Sequence, residues 1–116
     1  MTVSKAAPKK AVKKAPPKPG EQGFDWQKEY PGEDVFVFTA STGVTVGLAA
    51  LGPTRKFKAG EIRKARHLNE IDQMFVVIER VASPTALALS DEFEDEDYGR
   101  MFGEWSEWAN TSAGES

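Results

Sequence analysis

The chain of 116 residues has room for one small domain, and its lack of cysteine excludes disulfide bonds and thiolate metal sites. Its formal net charge of -3 is unevenly divided: six lysines give residues 1–20 a charge of +6, so residues 21–116 carry -3 minus 6, or -9. No run approaches the roughly eighteen apolar residues of a membrane span, and the lysine-rich start lacks the apolar core of a secretory signal. We therefore expect a soluble, cytoplasmic protein without membrane contact.

Residues 1–23 are predicted to form a disordered arm rich in lysine, proline and alanine. Four prolines and six like charges in the first twenty residues cannot bury enough apolar surface to offset the entropy cost of ordering. Such arms bind nucleic-acid phosphates by releasing counterions, although a solvated arm or one that contacts an acidic partner fits the acidic remainder better. The candidate nucleic-acid contacts are Lys5, Lys9, Lys10, Lys13, Lys14 and Lys18.

Residues 24–110 are predicted to form one α+β domain, mainly helical, in which an N-terminal hairpin packs on a bundle of three to four helices. The hairpin is expected over about residues 34–48, where two strand-forming runs flank a turn at residues 41–43. A two-stranded hairpin is marginal alone, so helices must cover at least one of its faces. Before it, Phe24, Trp26 and Tyr30 are expected to cover an edge of the core.

Four helices are predicted over about residues 60–68, 69–82, 84–91 and 94–109, followed by a flexible tail over residues 111–116. The second is interpreted as the core helix, capped by Asn69 and ended by Pro84. Val76 and Val77 widen its apolar stripe, which favours contact with more than one neighbour. The stripe itself, at helical spacing, consists of Ile71, Met74, Phe75, Ile78, Val81 and Ala82.

No pattern in the chain points to catalysis or to a cofactor. His67 is the only histidine, and it lies beside Arg63, Lys64 and Arg66 with no nucleophile in register, so we interpret it as a solvated residue. Six acids in residues 91–97 lack the spacing of a calcium loop, and no glycine-rich phosphate loop is present. We therefore expect no enzyme, no cofactor and no metal site.

The aromatic stripe of the last helix has two explanations, a core face or an exposed groove for a partner. Three tryptophans and seven phenylalanines exceed what a hairpin and four short helices readily bury, which favours the groove. Separate blocks of positive and negative charge also suit the steering of a partner or of a neighbouring copy of this chain. The predicted partner-binding residues are Met101, Phe102, Trp105 and Trp108, with Arg63 and Arg66 as a second patch.

The order of elements, from VFVFTASTGVTVGL through GEIRKARHL and NEIDQMFVVIERVASPTALALSDEF to FGEWSEW, resembles the tail assembly chaperones of long-tailed phages that infect Gram-positive, particularly actinobacterial, hosts. The resemblance covers residues 34–108 and rests on a pattern, without a catalytic signature. Its most telling residues are Gly60, Arg63, Arg66, Asp72, Gln73, Met74, Phe75, Ile78, Glu79, residues 84–91, Phe102 and Trp105.

The resemblance implies a non-enzymatic protein of virion morphogenesis. Such a chaperone would bind the tape measure protein, keep it soluble in the host cytoplasm, bring tail tube protein to it, and leave before the virion is mature. It also implies a longer product made by ribosomal frameshifting, of which this chain would match the shorter form. The lysine arm departs from the compact core of the family pattern. Nucleic-acid binding, or a structural tail or head-joining protein, therefore stays as an alternative.

Overall fold

A two-stranded antiparallel hairpin lies at the centre of the fold. In the computed structural model, which describes residues 16–52 and 55–115, its strands are β1 (Val35–Thr39) and β2 (Thr45–Ala49). A 3₁₀ helix (Trp26–Glu29) precedes it, and the helices that follow are α1 (Ala59–Ala65), α2 (Glu70–Val81), α3 (Pro84–Ser90) and α4 (Asp95–Glu115). The predicted α+β fold, a hairpin with four helices, is confirmed.

The turn between the strands is a three-residue loop that ends in a left-handed glycine. The Gly43 amide donates to the Ala40 carbonyl at 2.9 Å, and the Ala40 amide donates to the Val44 carbonyl at 2.8 Å. Gly43 has a φ of 92°, which a residue with a Cβ rarely adopts. This turn sets the register that places Val37 opposite Gly47.

Both faces of the hairpin are covered, and β2 is buried at each of its positions. On one face Trp26 lies directly over Gly47, where an added Cβ would be 2.6 Å from the Trp26 Cβ. Residues that point to the other face join a buried cluster with the C-terminal half of α2 and with α4. The main members from these elements are Phe38, Val46, Leu48, Ile78, Val81, Met101 and Trp105.

The interpretation of the second helix as the core element is wrong for its first half. Ile71 is 62% exposed and Phe75 is 41% exposed, whereas Ile78 and Val81 are fully buried. The helix meets the hairpin at its C-terminal end, where Ala82 forms an isolated bridge with Leu48, so its first turns extend past the sheet. The centre of the core is therefore β2.

Side chains from two other segments bond the outer edge of β2. The Tyr30 hydroxyl donates to the Gly47 carbonyl and accepts from the Ser83 amide, and the Trp105 indole N–H donates to the Ala49 carbonyl at 2.7 Å. Buried backbone groups need such partners, because an unpaired one costs about 1–3 kcal/mol. Tyr30 therefore joins the start of the domain to the hairpin and to the start of α3.

The domain boundaries differ from the predicted ones. The arm was expected to reach residue 23, but Gly20 is buried and its carbonyl accepts from the Thr45 amide at 2.9 Å. This bond joins Gly20 to β2, so residues before Phe24 belong to the domain. Residues 1–15, with five of the six arm lysines, lie outside the described residues. At the other end α4 runs to Glu115 instead of ending near residue 110, because no proline interrupts its hydrogen-bond ladder.

Within the described part of the chain, no helix combines the length and the apolar content that crossing a membrane requires.

Candidate protein-binding surface

The predicted partner-binding residues of α4 are divided between the core and the surface. Met101 is fully buried, and Trp105 is 4% exposed with its indole bonded to β2. Neither can contact a partner while the domain is folded, which corrects the prediction for these two residues. Phe102 and Trp108 are half-buried, and the Trp108 ring lies 5.8 Å from that of Phe36. The aromatic stripe of α4 therefore mainly covers the hairpin.

The second predicted patch lies at the surface. Arg63 and Arg66 belong to α1 and to its C-terminal cap, and both are exposed. No residue of α1 is buried, so this helix packs on the domain without entering its core. The exposed apolar side of α1 and the neighbouring side of α2 enclose an open space.

This space, which we call the α1–α2 cleft, has a volume of about 310 Å³. Its walls are mostly apolar, and Ile62 at its rim is 57% exposed. The residues that line it are Phe57, Glu61, Ile62, Ala65, Arg66, Gln73, Val76 and Val77. Sequence reasoning did not identify this site, although the extra apolar width that Val76 and Val77 give to α2 was its signal.

A polar cluster holds the start of α1 against the end of α2. The Glu61 carboxylate accepts from the Lys58 amide at 2.9 Å and forms an ion pair with Arg80. The Arg80 guanidinium also donates to the Lys56 carbonyl at 3.0 Å and lies 4.7 Å from the centre of the Phe57 ring. The hydrogen bond from Lys58, with that from Arg80, lowers the pKa of Glu61. The carboxylate is therefore charged at neutral pH, and this end of the cleft is anchored.

The other end of the cleft is closed by the turn between α1 and α2. The Gln73 amide group donates to the carbonyls of Ala65 and Leu68 at 3.0 and 3.1 Å. Asn69 caps α2 by accepting from the Asp72 amide at 2.8 Å. These bonds satisfy carbonyls at the end of α1 and an amide at the start of α2, so the two helices keep a defined angle without a buried apolar contact.

Most of the exposed large hydrophobic side chains lie on α1, on α2 and in the turn between them. Among the described residues six large hydrophobic side chains are exposed, and four of these fall between residues 62 and 75. Ile71 and Phe75 are one helical turn apart, and the Phe75 ring lies 4.8 Å from that of Tyr98 in α4. These two residues are therefore on the side of α2 that faces α4, whereas Val76 and Val77 face α1.

The helix α1, which forms one wall of the cleft and ends at Arg66 in its lining, is basic although the domain is acidic. Arg63, Lys64 and Arg66 are exposed on α1 or at its end, and the single acid of this helix, Glu61, is paired with Arg80. An apolar floor beside a basic helix favours a partner with an apolar stripe that has acids on the side next to α1. The cleft has the features of a helix-binding groove.

Comparisons with protein-family models, with curated proteins and with solved structures find no match. In the parts of the chain that the structure describes, no three histidine, aspartate or glutamate side chains are grouped so that they could hold a metal ion.

Proposed function

We propose that this protein is a phage tail assembly chaperone that binds the tape measure protein through the α1–α2 cleft. It would keep the tape measure soluble in the host cytoplasm and promote assembly of tail tube protein around it. The observation that carries the proposal is an open, apolar cleft between two helices at the edge of the core, one of which, α1, carries exposed basic residues. The sequence resemblance described above supplies the identity of the partner.

The physical requirement on such a chaperone is to cover apolar helix faces. A long helical protein waiting for its tube exposes an apolar stripe that would otherwise aggregate. Grooves between helices bind such stripes through side chains at positions i, i+3, i+4 and i+7. The volume of about 310 Å³ is at the small end of protein pockets, which span roughly 300–1,000 Å³. The cleft therefore takes a few side chains of a partner helix, and the rest of the helix lies along its rim.

The test is co-expression with the tape measure protein of the same phage genome, scored by the fraction of tape measure that stays soluble and co-purifies. Ile62→Ser removes an apolar side chain at the cleft, and Ile71→Ser removes one of similar exposure outside it. Burying a fully exposed isoleucine side chain stabilises a complex by about 1.5–3 kcal/mol. Ile62 is 57% exposed, so its substitution by serine should cost about 1–2 kcal/mol and weaken binding about five- to thirtyfold. Ile71→Ser should bind as the unsubstituted chain does.

Two outcomes would contradict the proposal. A tape measure that is equally insoluble with and without this protein would remove the chaperone function. Equal loss of binding in the two isoleucine variants, or loss in neither, would remove the cleft as its site. The presence of the protein in purified virions would instead favour a structural tail or head-joining protein.

The basic arm supports a second candidate, nucleic-acid binding. Residues 1–20 carry six lysines and no acid, a density of charge that binds phosphates without reading sequence. This candidate predicts retardation of duplex DNA that weakens steeply with salt and is largely lost when residues 1–15, which hold five of the six lysines, are deleted. Deleting the arm should leave tape measure binding at the cleft unchanged, so the two functions can be tested separately.

A further inference from the structure

The hairpin turn determines which backbone groups of β1 face away from β2. Ala40 and Val44 form a hydrogen-bonded pair, and such pairs alternate with non-bonded pairs along an antiparallel ladder. The register therefore places Phe36 and Phe38 at bonded positions, with their amides and carbonyls directed to β2. The residues whose amides and carbonyls point outward are Val35, Val37 and Thr39.

The two outer edges of the hairpin differ in how they are bonded. On β2 the outward residues Thr45, Gly47 and Ala49 each have a hydrogen-bond partner from another segment of the domain. On β1, the only bond to an outward backbone group within residues 16–52 and 55–115 is the one from Arg100 to the Thr39 carbonyl, at 3.4 Å. The outer edge of β1 is therefore open in the part of the chain that is described.

The sequence of β1 contains none of the features that protect an edge strand. Natural edges are blocked by proline, by lysine or other charges within the strand, or by a bulge. The strand VFVFT has no proline and no charge, it pairs with β2 without a bulge, and Val37 is 49% exposed. An open, regular and apolar edge of this kind is a site for strand addition.

We propose that a second copy of this chain adds its β1 to this edge, antiparallel, so that two hairpins form a four-stranded sheet across a two-fold axis at Val37. Val37 of each copy would then face Val37 of the other, and Val35 would face Thr39. Up to about six backbone hydrogen bonds join the strands in this register. The Thr39 carbonyl has two lone pairs, so the long bond from Arg100 does not prevent the pairing.

The symmetry of the open edge favours a second copy over another extended segment. Each copy carries the same open edge, so one antiparallel contact between two β1 strands covers both edges at once. The exposed Val37 side chains of the two copies would pack against each other across the two-fold axis. This inference concerns the hairpin and is independent of the proposed chaperone function at the α1–α2 cleft.

The experiment measures the mass of the full chain by sedimentation equilibrium as its concentration rises through the micromolar range. Val37→Pro removes an outward amide without breaking a bond to β2, and edge strands accept proline at such positions. Val37→Thr keeps the amide and the strand propensity, so it is the matched control. We expect the unsubstituted chain and Val37→Thr to approach twice 12.7 kDa, and Val37→Pro to associate at least tenfold more weakly.

A second substitution keeps the test decisive if proline disturbs the strand, which far-UV circular dichroism would reveal. Val37→Lys keeps the amide but places a charge in the middle of the open edge, and Ile71→Lys makes the same substitution at an exposed position of α2. We expect Val37→Lys alone to weaken the dimer. Hydrogen exchange gives an independent measurement, because protection of the Val37 amide should rise with protein concentration.

The proposal is overturned if the unsubstituted chain keeps the mass of one copy throughout this range. It is equally overturned if a dimer persists undiminished in folded Val37→Pro or in Val37→Lys, or if exchange at Val37 does not depend on concentration. Either of the latter results would place the contact between copies on another surface.

Discussion

Replacing Trp105 by alanine tests whether the aromatic stripe of α4 is core or partner surface. The side chain is 4% exposed and its indole donates to the Ala49 carbonyl at 2.7 Å. Truncating a buried tryptophan costs about 3–5 kcal/mol, and leaving the buried carbonyl without a donor costs about 1–3 kcal/mol. The two terms overlap, so we expect a loss of at least about 3 kcal/mol. A domain of this size has about 5–15 kcal/mol in total.

Two further substitutions, Trp105→Phe and Trp108→Ala, separate the contributions of the hydrogen bond and of packing to this loss of stability. Trp105→Phe keeps most of the ring but removes the donor to Ala49, so about 1–3 kcal/mol should be lost. Trp108→Ala truncates a half-buried ring of the same helix, and we expect a loss below about 2 kcal/mol because less apolar surface leaves the core. The measurement is urea unfolding followed by far-UV circular dichroism, since each variant removes a fluorophore.

The reasoning would be refuted if Trp105→Ala cost less than about 1 kcal/mol, or less than Trp108→Ala does. Either result would mean that the indole at position 105 is not packed against the hairpin. If Trp105→Ala lowers the stability by the expected amount, weaker binding of the tape measure by this variant would reflect unfolding of the domain and not the loss of a direct contact. Ile62 is the better position for a test of binding, because its side chain is exposed.

Two further predictions concern the hairpin and its contact with α4. Gly47→Ala would bring a Cβ to 2.6 Å from the Trp26 Cβ, so overpacking should lower the free energy of unfolding by about 1–3 kcal/mol. Gly103→Ala lies in a helix with open space around it, so it should raise the free energy of unfolding by up to about 1 kcal/mol. The urea midpoints of both variants measure these changes, and equal shifts would contradict the prediction. The Ser41 hydroxyl, which donates to the Asp97 carboxylate, lowers the pKa of Asp97 together with a neighbouring arginine. The stabilisation by the charged Asp97 carboxylate is present at neutral pH and is lost as the pH falls through that lowered pKa. Asp97→Asn should therefore be less stable than the unsubstituted chain at pH 7, and the difference in stability should narrow below about pH 4. An unchanged difference in urea midpoints at pH 7 and pH 3 would disprove this.

The candidate site could be predicted only in part. Arg63 and Arg66 are charged, and a charged side chain on a short helix is exposed in almost any packing. The apolar residues that line the cleft could not be identified from the sequence. Val76 and Val77 have the same sequence pattern whether another helix covers them or leaves them open. Trp105 shows the opposite error, since an aromatic stripe has the same spacing in a core and in a groove.

The sequence by itself determines the elements of this protein, because their causes are local. Alternating strand formers around a left-handed Gly43 specify the hairpin, and Asn69 and Pro84 specify where α2 begins and where it must end. The tertiary structure alone decides which faces are covered. The hairpin has two sides and two edges, and the order in which distant segments pack on it buries β2 completely while leaving the edge of β1 and the cleft beside α2 open. Burial depends on contacts between residues far apart in the chain, and no local pattern records them.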